Sequence, residues 1–304
     1  MKTVNLISCD NGYGLTRDMR LLTDVLEPLD YRVRWIDHGH NEMPACNVGI
    51  FLERFNPVLL GMAETSVFIP NMEWFPDEAL DYLDSFVQVW AKGVGAASEL
   101  KRLGVSPITT GFMSRDMFDA TVGREDFCLH LSGQSAAKGT REVLEAWRRH
   151  PDLPPLLMTS INTFEDNPAN VENVGIVSPL QVQNLMNRCR IHVVPSLVEG
   201  WGHVLAEGAM CGAAVVTTDA SPMNEHIRPE FGLLLPVVST ETLRRTRMNF
   251  VDPDDIADAV RQAVALGSAD REARSSLARD HVLARNVSCA ETVTRLIQEL
   301  ASRA

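Results

Sequence analysis

Two glutamates bracket a glycine-rich loop in the second half of the chain, in the block Pro195-Ser-Leu-Val-Glu199-Gly200-Trp201-Gly202-His203-Val-Leu-Ala-Glu207. Seven residues separate the two carboxylates. An apolar run ends at Pro195 and a helix is predicted to begin near His203, so Glu199 falls in the loop and Glu207 in the second helical turn. Glycines let a backbone approach a ligand closely, and the free N–H groups of a helix start favour an anion. This spacing can set one acid beside a sugar ring and the other beside a ribose, with amides between them facing phosphate. The same residues also read as a surface loop and a solvated helix face. A second block, Leu131-Ser-Gly133-Gln134-Ser-Ala-Ala-Lys138-Gly139, puts a lysine between a glycine turn and a helix start. There an ammonium can neutralise charge growing on a departing phosphate. Taken alone, Lys138 is a solvated lysine at a helix start.

These residues need elements to hold them. Short apolar runs alternate with amphipathic stretches along the chain, the pattern of parallel sheets with crossover helices. Val4–Ser8 reads as a strand, Asp10–Gly14 as a turn, and Leu15, Met19, Leu22, Leu26 and Leu29 as one helix face. Further strands are predicted at Tyr31–Asp37, Val48–Leu52, Val67–Ile69, Phe86–Trp90 and Ile108–Thr110, with a helix over Ala96–Leu103. After an irregular stretch from Gly111 to Gly123, the alternation resumes. It predicts strands at Phe127–Ser132, Leu156–Thr159, Ile191–Pro195 and Ala213–Thr217, and helices at Thr140–Arg149, Pro179–Cys189 and His203–Cys211. Helices follow Asp252 and Asp270, and Val293, Leu296, Ile297 and Leu300 stripe a last one over Cys289–Ala304. Ligands of such sheets bind outside the carboxyl ends of the strands, where both blocks fall.

The block from Ser178 through Gly202, with its EGWG loop, Gly212-Ala-Ala-Val-Val-Thr-Thr-Asp219, Met223-Asn-Glu225-His-Ile and Val251-Asp-Pro-Asp-Asp-Ile together resemble the retaining GT-B glycosyltransferases of the family 4 type. The resemblance covers about half of the chain and is looser in the N-terminal half. It implies an α/β protein of two Rossmann-like domains facing each other across a cleft, the N-terminal one shortened. The implied division is an acceptor-side domain over 1–113, a nucleotide-sugar donor domain over 114–288, and a helix over 289–304 packing back toward the junction. The implied reaction moves a hexosyl group from a UDP- or GDP-linked sugar to an acceptor hydroxyl with retention, without a metal or further cofactor. Glu199 is then assigned to the donor sugar and, with Lys138, to catalysis; Glu207 is assigned to the ribose. Gly200, Trp201, Gly202 and His203 complete the donor loop. Gly12 and Gly14 approach the donor phosphates or the acceptor, and Asn11 and Arg17 lie on the acceptor side.

The chain departs from the family pattern in two places. Gln134 stands where the family has arginine, which removes one positive charge unless Arg17 or Arg115 supplies it. Pro70-Asn71-Met-Glu73-Trp74 lacks the family's histidine, and its Asn71 and Glu73 read as acceptor-side residues or as part of a buried aromatic turn. Other motifs are weaker. Gly12-Tyr13-Gly14 fails as a dinucleotide fingerprint because Arg17 replaces the third glycine. His38-Gly39-His40 offers too few ligands for a metal and reads as surface histidines or an acceptor contact. Asp252-Pro253-Asp254 spells a metal-binding DxD, yet an aspartate N-cap with proline in the first turn explains it.

Composition limits the function classes. The 304 residues carry 28 Lys and Arg against 40 Asp and Glu, a net charge of −12. That balance disfavours nucleic acid and anionic lipid as partners. No apolar run nears the roughly 18 residues of a membrane span, and the first residues show no signal-peptide pattern. Six cysteines without zinc or CxxC spacing read as reduced thiols of a cytoplasmic protein. The acceptor stays open between a sugar, a small molecule, a glycan and a protein, and the residues carry no signal for oligomeric state. Two other readings share the motifs: a sugar phosphorylase, and a nucleotide-sugar-binding protein without activity.

Overall fold

The computed structural model describes residues 1–162, 164 and 167–303. Ala304, the predicted end of the last helix, lies outside the described residues. The chain divides into two compact bodies. The first comprises Met1–Met113, Arg244–Thr246 and Arg285–Ala304; the second comprises Ser114–Leu243 and Arg247–Ala284.

The first body holds strands β1 (Thr3–Ser8), β2 (Arg32–Asp37), β3 (Cys46–Leu52), β4 (Ala63–Ile69), β5 (Gln88–Ala91) and β6 (Ile108–Thr109). They form one sheet in the order β2-β1-β3-β4-β5-β6, with the paired strands parallel. A parallel sheet covered on both faces needs near-continuous apolar strands. Val48, Ile50, Phe51 and Leu52 of β3 and Val67, Phe68 and Ile69 of β4 meet that need and are buried. Helix α1 (Gly14–Leu26) buries Leu15, Met19, Leu22 and Leu26 of the predicted stripe, while its fifth member, Leu29, falls beyond the helix in the 3-10 turn Glu27–Leu29 that Pro28 opens and is only half-buried. Helix α2 (Val94–Arg102) buries Ala97 and Leu100. Phe55 and Phe86 pack edge-on with ring centroids 5.0 Å apart, and Phe68 stacks on Phe86 at 5.0 Å. One buried charge pair is set into this core: Lys92 Nζ lies 2.5 Å from Asp18 Oδ2 and 4.7 Å from the Phe112 ring centre.

The second body repeats the plan with β7 (Glu125–Gly133), β8 (Leu156–Ser160), β9 (Val171–Asn173), β10 (Cys189–Val194), β11 (Ala214–Thr218) and β12 (Leu233–Leu235). The order is β12-β11-β10-β7-β8-β9, again with parallel pairs. Its helices are α3 (Thr140–Arg149), α4 (Pro179–Arg188), α5 (His203–Met210), α6 (Met223–His226) and α7 (Pro253–Ala265). One core joins Val143, Ala146 and Trp147 of α3 to Ile256, Ala257 and Val260 of α7, over Cys128, Ile191 and Val193 of the sheet. Ser178 and Gln181 close a reciprocal capping box at the start of α4. The Asp252 side chain accepts from Asp254 N at 2.9 Å, with Pro253 in the first turn of α7. The DxD spelling is therefore a helix cap.

Three findings differ from the sequence reading. Strands β13 (Ser239–Leu243) and β14 (Thr246–Phe250) form a separate two-stranded hairpin that the apolar pattern does not announce, because its side chains are largely exposed or half-buried. The short β9 likewise carries only Val171-Glu172-Asn173. The helix after Asp270 and the helix over Cys289 are one element, α8 (Ser268–Arg303). The stretch contains neither glycine nor proline, so nothing in the backbone stops it. All six cysteines are free thiols, and every one except Cys9 is buried.

Replacing Asp252 by alanine removes the cap of α7 and should lower stability by about 1 kcal/mol. Urea denaturation measures it, and an unchanged midpoint would deny the cap any role.

Candidate functional site

Strand order decides where a ligand can sit. In the second body the chain leaves β7 through α3 to β8 on one side, and returns through α4 to β10 on the other. The sheet therefore reverses direction between β7 and β10, and a crevice opens at the carboxyl ends of those two strands. The loop after β7 carries Lys138, and the loop after β10 carries Glu199. Lys138 Nζ donates to Glu199 Oε1, which also accepts from Ser196 Oγ at 2.6 Å. Both side chains are mostly out of water, 16% and 10% exposed.

The two loops are stitched together by backbone. Leu197 N donates to Ala137 O at 2.8 Å. A Cβ on Gly139 would stand 2.1 Å from Pro195 O, and Gly139 holds φ at +69°, so no other residue fits this crossing. Gly139 is also the N-cap of α3, and Gly202, at φ +94°, is the N-cap of α5. Neither supplies a capping side-chain oxygen. The N-termini of α4 and α7, by contrast, are closed by Ser178 and Asp252. The helices that open at the crevice thus have no side-chain cap on their first N–H groups, as the short α6 also has none, and such ends attract negative charge.

The predicted EGWG loop is built on a rigid support. The Trp201 indole is 5% exposed, and its Nε1–H donates to Ser114 Oγ at 3.1 Å. Ser114 Oγ lies 3.1 Å from His203 Nδ1 as well. From the other side His226 Nε2 donates to Trp201 O at 2.7 Å, its ring edge-on to the indole at 4.3 Å. The structure thus joins Trp201 and His203 through Ser114, as it joins Lys138 and Glu199 directly. Glu207 lies on α5 with no exposed surface. Gln134 is exposed in the turn after β7, and Arg115 is exposed in the segment before it.

The remaining predicted residues belong to the first body, whose sheet reverses between β1 and β3. The loop after β1 holds Asn11, Gly12 and Gly14. Tyr13 N donates to Asn11 Oδ1 at 2.8 Å, and Gly12 N donates to Thr16 Oγ1 at 2.7 Å. Arg17 is half-buried on α1. After β4, the buried Asn71 gives an Nδ2–H to Glu53 Oε2 at 2.7 Å, and Glu73 is half-buried in a short 3-10 turn.

Residues 163–275 match the family model for glycosyl transferases group 1. No curated protein matches the chain in sequence. Among solved structures, a glycosyltransferase from Rickettsia africae is 13% identical over 100% of this chain and 99% of its own, with a TM-score of 0.78. Sucrose-phosphate synthase from Thermosynechococcus elongatus is 13% identical over 100% of both chains, with a TM-score of 0.77. Anabaena HepE, solved with UDP and glucose, is 11% identical over 100% of both chains, with a TM-score of 0.69. The fold is GT-B.

Sequence reasoning missed the floor of this GT-B crevice. His130 of β7 and His192 of β10 are fully buried. His130 Nδ1 lies 2.7 Å from Val193 O and must donate to it, so Nε2 accepts from Thr140 Oγ1 at 2.9 Å. Burial, together with the Lys138 charge, holds the imidazoles down, His130 at about 4 and His192 at about 3. Both stay neutral beneath the ammonium. Polar residues inside otherwise apolar strands were the only signal for them. Among the described residues no group of three or more His, Cys, Asp or Glu could hold a metal ion. No described helix is long and apolar enough to cross a membrane.

The buried imidazoles give the fold an acid limit. Unfolded histidine takes up its proton below about pH 6.5, whereas these two stay neutral down to about 4 and about 3. Their contribution is fully present above pH 6.5 and is lost as pH falls toward those folded values. Melting temperature should therefore fall from pH 7 to pH 4.5, and less steeply in His192→Met. Equal slopes in both proteins would remove His192 from the account.

Proposed function

We propose that this protein transfers a hexosyl group from a nucleotide diphosphate sugar to an acceptor hydroxyl, with retention at the anomeric carbon. The observation that carries the reading is the Lys138–Glu199 pair between two glycine-capped helix starts, at the strand-order reversal of the second body. The match of residues 163–275 to glycosyl transferases group 1 supports it, as does the GT-B fold shared with a protein solved with UDP and glucose.

In this reading the diphosphate lies on the first N–H groups of α3 and α5, through the amides of Gly200, Trp201 and Gly202. It displaces Glu199 as the partner of Lys138. The bond from the anomeric carbon to the phosphate oxygen breaks while the acceptor oxygen bonds that carbon. Lys138 stabilises the charge on the departing phosphate, which takes the acceptor's proton. No side-chain base and no metal ion is needed. Glu199, released from Lys138, holds the sugar. Glu207 takes the ribose once the helix start admits it. Asn11, Arg17, Asn71 and Glu73 of the first body serve the acceptor. The protein works in the cytoplasm, where its thiols stay reduced.

A second reading, binding of nucleotide sugar without turnover, draws on Gln134. A neutral amide stands there, so Lys138 faces the diphosphate with one cation fewer.

Nucleoside diphosphates should raise the melting temperature of the parent protein by mass action, UDP or GDP most. Lys138→Ala should slow transfer by about 10²- to 10³-fold, and Glu207→Gln should weaken nucleotide binding by about tenfold. Parental rates in both variants would refute the site assignment. Tight nucleotide binding with no donor consumed across a broad acceptor panel would select the second reading.

A further inference from the structure

A cavity of about 810 Å³ opens in the first body, within the size range of small-molecule sites. Its wall combines aromatic rings with guanidinium groups. Phe55 and Tyr82 are fixed edge-on to each other at 6.0 Å, and Phe55 is anchored in turn on Phe68 at 5.2 Å. Trp74 is 45% exposed and Tyr82 38% exposed, so both rings keep surface in contact with solvent, one Trp74 face being taken by the Arg244 guanidinium.

The charges are unevenly matched. Arg54, Arg244 and Arg245 line the cavity with Asp77, Glu78 and His38. Arg245 Nε is paired to Asp77 Oδ1 at 2.6 Å. The Arg244 guanidinium lies over the Trp74 ring, 4.8 Å from its centre, and is paired to no carboxylate among the described residues. Arg54 likewise has no carboxylate partner among them. With Asp77 spent on Arg245, two guanidinium groups face one remaining carboxylate, Glu78. In a chain of net charge −12 this is a local reversal of sign.

Backbone geometry points the same way. Arg244 and Arg245 form the two-residue turn between β13 and β14, and Arg244 holds φ at +52°. Hairpin turns place glycine, asparagine or aspartate at such positions, because a long L side chain is strained there. Glu53, the neighbour of Arg54, also has a left-handed φ of +63°. Two of the three non-glycine residues with positive φ among the described residues thus flank this one cavity. Strain retained at adjoining segments is a mark of a positioned ligand site.

We propose that this cavity binds a part of the acceptor apart from Asn11, Arg17, Asn71 and Glu73, none of which lines it, and that this part is a sugar bearing a carboxylate or phosphate. The pyranose ring lies on the exposed aromatic faces, and its acidic group is forked by Arg54 and Arg244. The inference rests on the transferase reading for the word acceptor; the binding chemistry stands on the cavity itself.

Isothermal titration at low salt tests it, with neutral hexoses, hexuronic acids, hexose 6-phosphates and inorganic phosphate as probes. The parent, Arg54→Gln and Arg244→Gly are compared, and UDP and GDP are titrated into each. Glycine suits the turn, so Arg244→Gly should melt no lower than the parent. A charged hexose should bind at least about tenfold tighter than its neutral counterpart, and each variant should lose about tenfold, one charge-assisted hydrogen bond. Nucleotide binding should be unchanged in both variants. Carboxylate and phosphate sugars separate the two sources of charge, and binding of either supports the proposal. It is overturned if neutral hexoses bind equally well, if inorganic phosphate alone matches the sugar phosphate, if neither variant loses affinity, or if no charged hexose binds. If nucleotide binds and charged hexoses do not, this inference fails and the transferase reading stands. Charged hexoses bound without any nucleotide would give the reverse.

Discussion

A lysine at the start of a helix is in the wrong place electrostatically. The aligned peptide dipoles put about half a positive charge at that end, and Lys138 stands one residue before the Gly139 cap of α3. Burial makes the repulsion harder to screen. Glu199 resolves it by lending a carboxylate from the neighbouring loop, and Ser196 steadies that carboxylate. The remainder of the second body's crevice follows from this pairing. The loops must cross closely enough for the ions to meet, which is why only glycine fits at 139. The histidines below must stay uncharged, which their burial ensures. A buried pair of this kind gives little net stability, since desolvation offsets most of the attraction. What it does is fix an ammonium at the crossing of the two loops.

The helix ends divide the same way. Stability is served where side chains close the first turn, at Ser178 and Asp252. It is forgone where glycine stands at the cap, at 139 and 202. Open helix ends invite mobility, and the loop before α5 counters it with an indole clamped between Ser114 and His226. The Trp201 ring is turned inward and fixes the loop before α5 from both sides.

Much of this was legible in the residues. The parallel α/β plan follows from apolar runs alternating with stripes such as Leu15, Met19, Leu22 and Leu26. The placement of both chemical blocks after strands follows from Pro195 and Gly133. What stayed hidden depends on pairings between distant segments. Nothing near Lys138 announces Glu199 as its partner, and Ser114 is 87 residues from Trp201. The hairpin escaped because β13 is mostly exposed and β14 mostly half-buried, neither with apolar alternation, and because arginine occupies a turn position where glycine or asparagine would have signalled it. The continuous α8 escaped for another reason. Its buried residues fall into two groups, Ala278 and Val282, then Cys289 onward, which belong to different bodies. Apolar spacing alone therefore predicts two helices, although no glycine or proline breaks the chain between them.

The charge distribution ties these observations together. An acidic protein repels anionic ligands over most of its surface, so an anion is held only where the field is locally reversed. The two bodies arrange their cations differently. The second sets one ammonium, paired to Glu199, between two helix starts that lack a side-chain cap. The first sets guanidinium groups beside aromatic rings, a flat and directional arrangement. Lysine and arginine are not exchangeable between these roles: a point charge can follow a leaving phosphate, whereas a stacked fork holds one orientation. Gln134, a neutral amide in the turn after β7, adds no charge to the body that carries the ammonium and leaves the guanidinium groups of the first body untouched.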